Sequence, residues 1–264
     1  MIGEEFLKPL PGAMDLIGLP IHQGTSSDVE ACIEEAISLN TKAIIVNTNI
    51  HGIYLAKKNQ WFVHFLRNSR MVFCDGNGPR LGLKILGYTP PPKIPTTRWI
   101  WELAAFCARK KYRLFLVGGK PGVAEAASEK FRKETPGLAE VGFYDGYFKK
   151  EGTENKKAIE VINAFKPDIL MVCFGMPSQE KWIYDNASQI DAHVFLKGGG
   201  VLDYVTGRLG KAPEWMLRAN LEWLFRIYEE PRRLFIRYLV EIPWFLVSVL
   251  IERIRRTILR RSQI

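Results

Sequence analysis

Short apolar runs recur along the chain, each closing on a polar or glycine-rich cluster and most followed by a segment with helical period. Ile169–Phe174 lacks the alternation of a half-exposed strand and reads as a strand buried on both faces, as in a parallel sheet. Lys42–Val46 and Arg70–Cys74 read as buried strands, and Tyr112–Val117, Leu138–Phe143 and Ala192–Leu196 as further strands. Ser26/Ser27-Asp28 predicts the cap of a helix running to about Leu39, with Val29, Ile33, Ala36 and Ile37 on one face. Helical patterning continues through Ile53–Ala56, Trp61–Leu66, Pro79–Leu86 and Trp99–Lys110. It returns after Gly122 to about Lys133 and over Glu154–Phe165. Ala13–His22 predicts two short strands about a Gly-Leu-Pro turn. Strands alternating with helices from Lys42 to Leu196 predict an α/β class, with a doubly wound, mostly parallel sheet and helices on both faces.

In open α/β sheets ligands bind at the carboxyl ends of the strands, against helix N-termini. The polar clusters at Asn49, Asp75, Gly119, Tyr147, Gln179 and Gly199 should then share one sheet edge. Asn47, Thr48 and Asn49 close the first of these runs. Asp75 follows apolar residues directly and opens a glycine-rich turn. A carboxylate half-sheltered there can act as a general base, or it can simply bond its own turn. Gly118, Gly119 and Gly122 give the shape of a phosphate cradle, though neither G-x-G-x-x-G nor a Walker motif is present. Gly175-Met176-Pro177 ends a strand and opens a helix on which Gln179 can offer an amide to a ligand. The alternative is a bare left-handed turn, with Gln179 and Glu180 capping the helix. The proline-rich loop Tyr88–Pro95 is either an active-site flap or a linker.

The formal charge of +9 favours an anionic partner such as phosphate, nucleotide, nucleic acid or a lipid headgroup. Four cysteines stand singly in apolar surroundings, which predicts buried reduced thiols and no zinc site. The N-terminus has no signal-peptide pattern, and the longest apolar run, Tyr238–Ile251, is interrupted by Glu241 and Pro243, so a cytosolic chain without a membrane span is expected. From Ala212 the composition shifts to Trp, Leu, Ile and Arg. The chain thus divides into an α/β core over 1–211 and a basic amphipathic appendage over 212–264. Such an appendage suits an anionic membrane surface. An oligomerisation face or a nucleic-acid-binding tail are the other readings, and the Trp and Leu-Ile density weighs against the tail.

With these turns in hand, the chain resembles the WecG/TagA/CpsF glycosyltransferases, family 26. The resemblance rests on Phe115–Gly122, Gly146-Tyr147-Phe148, Lys166-Pro167-Asp168, Gly175 through Ile183, Gly198–Asp203, Glu222 through Arg226 and Glu230-Pro231-Arg232-Arg233. It implies a Rossmann-like fold and a C-terminal appendage docking on the cytoplasmic face of the plasma membrane. The implied activity is inverting, metal- and cofactor-independent transfer from a UDP-sugar to a polyprenyl-diphosphate-linked sugar. By position it implies Asp75 as general base, Asn49 in the pocket, Tyr147 and Asp203 near the base of the nucleotide and Gln179 near the donor. Arg226 and Arg233, with Arg237 beside them, would reach the diphosphate. Asn47 replaces the threonine usual there. In the loop Lys93–Arg98, Lys93 replaces an arginine and Arg98 falls where an acid is usual. That departure predicts a donor other than N-acetylmannosamine, with Arg98 either reading a carboxylate or facing solvent. A nucleotide-binding regulatory or scaffold module without catalysis is the alternative from another class.

Overall fold

The computed structural model describes residues 5–138, 140–210, 213, 215–216, 221–229 and 231–261, without the side chains of residues 222, 223, 226, 232, 233, 236, 237, 260 and 261. A hairpin of β1 (Met14–Leu16) and β2 (Leu19–Ile21) comes first. Its turn is Ile17-Gly18, both at positive φ, and not Gly-Leu-Pro: Leu19 and Pro20 already belong to β2. Pro20 is tolerated because a two-stranded ribbon leaves an edge with no ladder bond to make. Helix α1 (Ser26–Ser38) is capped one residue earlier than expected. Thr25 Oγ1 accepts from Asp28 N–H while the Asp28 carboxylate accepts from Thr25 N–H at 2.7 Å, a reciprocal capping box.

Six strands form one sheet: β3 (Ala43–Thr48), β4 (Met71–Cys74), β5 (Leu114–Gly118), β6 (Val141–Tyr144), β7 (Ile169–Cys173) and β8 (Val194–Lys197). Their order is β4-β3-β8-β7-β5-β6 and every neighbouring pair is parallel. The helices between them are α2 (Ile50–Lys58), α3 (Gln60–Asn68), α4 (Asn77–Ile85), α5 (Thr96–Lys110), α6 (Val123–Glu134), α7 (Gly152–Phe165), α8 (Ser178–Asn186) and α9 (Val201–Thr206).

The uniform apolar character of the strands follows from helices on both faces. Ile44, Val46, Val72, Val117 and Phe195 join one core cluster, with α2, α3 and α8. Ala43, Ile45, Phe73, Leu116 and Leu196 join the other, with α1, α5 and α6. Successive residues thus alternate between two apolar layers, which is why no polar alternation marks these strands.

Two helices close the described chain, α10 (Glu222–Glu229) and the long α11 (Pro231–Arg261). The middle of α11 belongs to the core. Phe245 and Val249 are fully buried in the first cluster, and Phe245 seats where α4 has Gly82: a Cβ there would lie 2.6 Å from the Phe245 ring. Further on, Arg256 pairs with the Asp15 carboxylate of the hairpin and donates to Tyr88 Oη at 3.1 Å. No helix among the described residues is long and apolar enough to cross a membrane.

Candidate active site

A cavity of about 1010 Å³ opens at the carboxyl edge of the sheet, over β4, β3, β8 and β7. The first turns of α2, α4, α5, α8 and α9 all border it. The positive ends of helix dipoles favour negative charge at such a place. Lys93 and Arg98 add mobile cations, and α11 closes one side with Leu234, Tyr238, Glu241 and Ile242.

Asp75 stands just past β4, half-buried, and its backbone N–H donates to Thr48 O at 2.9 Å. Gly76 follows with φ +100 and open space where a side chain would be, so the chain turns from strand to α4 without covering the carboxylate. Asn47 is a strand residue on the α5 side. Its Nδ2 donates to Thr96 Oγ1 at 2.6 Å, and Thr96 Oγ1 lies 3.4 Å from Asp75 Oδ2. Asn47 and Thr96 are both buried, so this relay holds the carboxylate from behind. The proline-rich loop is pinned beside it: Ile94 N–H donates to Cys74 O at 3.0 Å and Arg80 Nε to Pro91 O at 2.8 Å. Those bonds set Lys93 and Arg98 at the rim.

Across the cavity, Gly175 turns at φ +81 and α8 begins after Pro177 without a side-chain cap. Gln179 and Glu180 therefore do not cap the helix. Gln179 is 2 % exposed: its Oε1 accepts from Gly199 N–H at 2.9 Å and its Nε2 donates to Glu180 Oε1 at 3.2 Å. Glu180 in turn pairs with Lys197 at the end of β8. The amide is thus fixed at both ends.

Asn47, Asn49, Asp75, Lys93, Arg98, Gly175, Gln179 and Gly199 therefore come together on one cavity. Asn49 also caps α2, accepting from Gly52 N–H at 3.1 Å. Thr48 points the other way, with its hydroxyl buried and unpaired against Gly52. Gly118, Gly119, Tyr147 and Asp203 do not line the cavity. Close packing accounts for the two glycines: a Cβ on Gly118 would lie 2.4 Å from Cys173 O and one on Gly119 2.8 Å from Val123. Tyr147 is 71 % exposed on the turn after β6, at the far side of the sheet. Beneath that turn Lys150 lies over the Phe148 and Phe174 rings, and burial pushes its ammonium down to about 8. The side chains of Arg226, Arg233 and Arg237 lie outside the described residues.

Thr96, the Lys197–Glu180 pair and the contact between His51 and Glu241 escape sequence reasoning. Their partners stand 17 to 190 residues apart, so no spacing marks them. Only Lys197 carries a signal, as a lysine closing a fully apolar strand. All four cysteines are buried; burial pushes the Cys74 and Cys107 thiols up to about 12 and Cys173 higher still.

A parallel sheet with a polar cavity at its carboxyl edge, bordered by helix N-termini and with Asp75 backed by a buried relay, is suited to an anionic ligand. The model of the glycosyl transferase WecG/TagA/CpsF family matches residues 14–258, and the chain belongs to that family. It is 28 % identical over 232 residues, 88 % of each chain, to an N-acetylglucosaminyldiphosphoundecaprenol N-acetyl-beta-D-mannosaminyltransferase of Bacillus subtilis. Enzymes of the same description from Bacillus spizizenii (28 %, 80 % of each chain) and Staphylococcus aureus (27 %, 78 % of each chain) are similar too.

Proposed function

We propose that this glycosyltransferase moves a sugar from a UDP-sugar to a polyprenyl-diphosphate-linked sugar, with inversion, in the synthesis of a cell-surface glycopolymer. The observation that carries the reading is Asp75, presented to the cavity by the Asn47–Thr96 relay opposite the fixed amide of Gln179.

In this reading the acceptor hydroxyl attacks the anomeric carbon and passes its proton to Asp75. The bond from that carbon to the β-phosphate oxygen breaks, and UDP leaves with the electron pair. Its charge is met by the N–H groups of the surrounding helix starts and by Lys93 and Arg98, with Arg226, Arg233 and Arg237 of the appendage as further candidates. Tyr147 and Asp203 would serve the nucleotide base at the outer end of the donor. The carrier lipid named for the relatives suggests the acceptor class, while Lys93 and Arg98 leave room for an acidic donor sugar.

The chain works at the membrane surface in this reading. Along α11, Val247, Leu250, Ile251, Ile254 and Ile258 are each more than half exposed on the segment that also carries Arg253 and Arg255. An apolar stripe flanked by arginines is the pattern of an interfacial helix. It supports the exposed face of α11, within residues 212–264, as the docking element of an α/β body over 1–211 into which Phe245 and Val249 also pack, on the cytoplasmic leaflet where the UDP-sugar is available. Self-association through the same stripe would bring the arginines of two copies together, which the charge disfavours.

UDP release, measured over a panel of UDP-sugars with a short polyprenyl-diphosphate N-acetylglucosamine as acceptor, tests the reading. Release that requires both substrates and disappears in Asp75→Asn supports it. UDP binding without release on any donor sinks it.

A further inference from the structure

His51 stands in the first turn of α2, two residues after the Asn49 cap, and lines the cavity. Its Nδ1 lies 2.7 Å from Glu241 Oε1 on α11. Glu241 is 6 % exposed. A nitrogen and a carboxylate oxygen 2.7 Å apart share a proton, so the ring donates Nδ1–H to Glu241. With Nδ1–H donated to Glu241, Nε2 is the ring nitrogen left for another contact. A hydroxyl, which can both donate and accept, suits that nitrogen.

The position narrows which hydroxyl. His51 and Asp75 follow adjacent strands, β3 and β4, and Gln179 follows β7 at the other end of the row β4-β3-β8-β7 that the cavity spans. Beside His51 and Asp75, Ile50 of α2, Leu81 of α4 and Leu234 and Ile242 of α11 form an apolar wall, its last two residues on the helix that carries the exposed apolar stripe. A sugar alcohol beside an apolar chain is the chemistry of a lipid-linked acceptor, not of a nucleotide. Glu241 reaches this wall because Phe245, one helical turn on, is keyed into the notch at Gly82.

We infer that His51, aimed by Glu241, contacts the sugar of the lipid-linked acceptor through a hydrogen bond between its Nε2 and one of the sugar's hydroxyls. This rests on the transferase reading above. His51 is the substrate-contacting residue and Glu241 its positioning residue.

The test uses the full chain, ring-¹⁵N-labelled histidine and a short polyprenyl-diphosphate N-acetylglucosamine as the acceptor probe. With four histidines in the chain, the His51 signals are assigned from a His51→Gln variant. Titrating the probe without donor should move the His51 ring signals, and Glu241→Gln should shift those signals in the free protein. In steady-state assays His51→Ala should raise the acceptor KM about tenfold, the loss of one good hydrogen bond. UDP affinity should stay within about twofold, as for a site remote from the change. His51→Gln, whose amide can donate or accept, should recover part of the loss and stands in if the alanine variant misfolds. Unmoved His51 signals at saturating probe, an unchanged acceptor KM, or an equal weakening of UDP overturns the inference. Should the probe bind and shift His51 while no UDP-sugar is turned over, the transfer reading fails and the acceptor contact stands.

Discussion

Lys197 Nζ and Glu180 Oε1 lie 2.5 Å apart with both side chains shut off from solvent. The pair ties the end of β8 to the first turn of α8 under the cavity floor, and Glu180 also receives Gln179 Nε2. Removing one partner strands the other as a buried charge. Lys197→Met or Glu180→Gln should each cost about 3–5 kcal/mol in urea unfolding, whereas Glu180→Leu with Lys197→Met together should cost far less than the sum. Additive losses would show that the two groups do not act as a pair.

For Asp75 the expectation is separation of chemistry from binding. Asp75→Asn should lower kcat by about 10²–10⁴, the range for a lost general base, with the Kd of UDP nearly unchanged. Thr96→Val, which removes the hydroxyl between Asn47 and Asp75, should cost less, about tenfold, as for one hydrogen bond in a relay. Calorimetry with UDP and initial rates on the same preparations distinguish the two.

Gly82 is the place where a methyl group should unseat the C-terminal helix. Its Cβ would lie 2.6 Å from Phe245 and 2.9 Å from Leu16. Gly82→Ala should destabilise by about 1–3 kcal/mol through overpacking. Limited proteolysis should then cut the chain sooner beyond residue 230, and acceptor KM should rise more than donor KM.

Acid stability should depend on His22. The ring is 3 % exposed, with Nδ1 accepting from Val72 N–H at 2.9 Å and Nε2 donating to Leu10 O at 3.1 Å. Burial holds its pKa below the usual 6.5. The unfolded chain then takes up a proton before the folded one, so stability falls as pH drops below about 6.5 toward the lowered folded value. His22→Gln should flatten the loss of Tm between pH 7.5 and 5. An equal slope in both proteins would assign the acid sensitivity elsewhere.

Arg98 is exposed on the first turn of α5 and lines the cavity. If it reads a sugar carboxylate, UDP-glucuronic acid should outcompete UDP-N-acetylmannosamine, and Arg98→Ala should raise KM about tenfold for the acidic donor alone, as for a lost charge-assisted bond. No preference for any acidic donor, with Arg98→Ala unchanged, ends the idea.

Much of this was legible in advance. The six strands and the helices between them follow from apolar runs and helical period; five of the strands, covered on both faces, have no polar face to show, while edge strand β6 leaves Phe143 exposed. The expectation that Asn49, Asp75, Gly119, Tyr147, Gln179 and Gly199 would share one edge follows from a parallel sheet, where every strand ends on the same side. Caps and turns were less readable: Thr25 replaced Ser26/Ser27, and Ile17-Gly18 took the hairpin turn, because one-residue shifts of a local bond leave the apolar pattern unchanged.

By itself the chain's order of residues determined the α/β class, the position of each strand and the carboxylate that closes β4, because these depend on contacts between near neighbours and on burial. Which of those edge residues meet was decided by strand order alone. Placing β8 and β7 between β3 and β5 gathers Asn49, Asp75, Gln179 and Gly199 and leaves Gly119 and Tyr147 off the cavity. The relay through Thr96, the buried Lys197–Glu180 pair and the reach of Glu241 to His51 join residues that are distant along the chain. Only the packing of whole elements could bring their charges and hydrogen bonds within range.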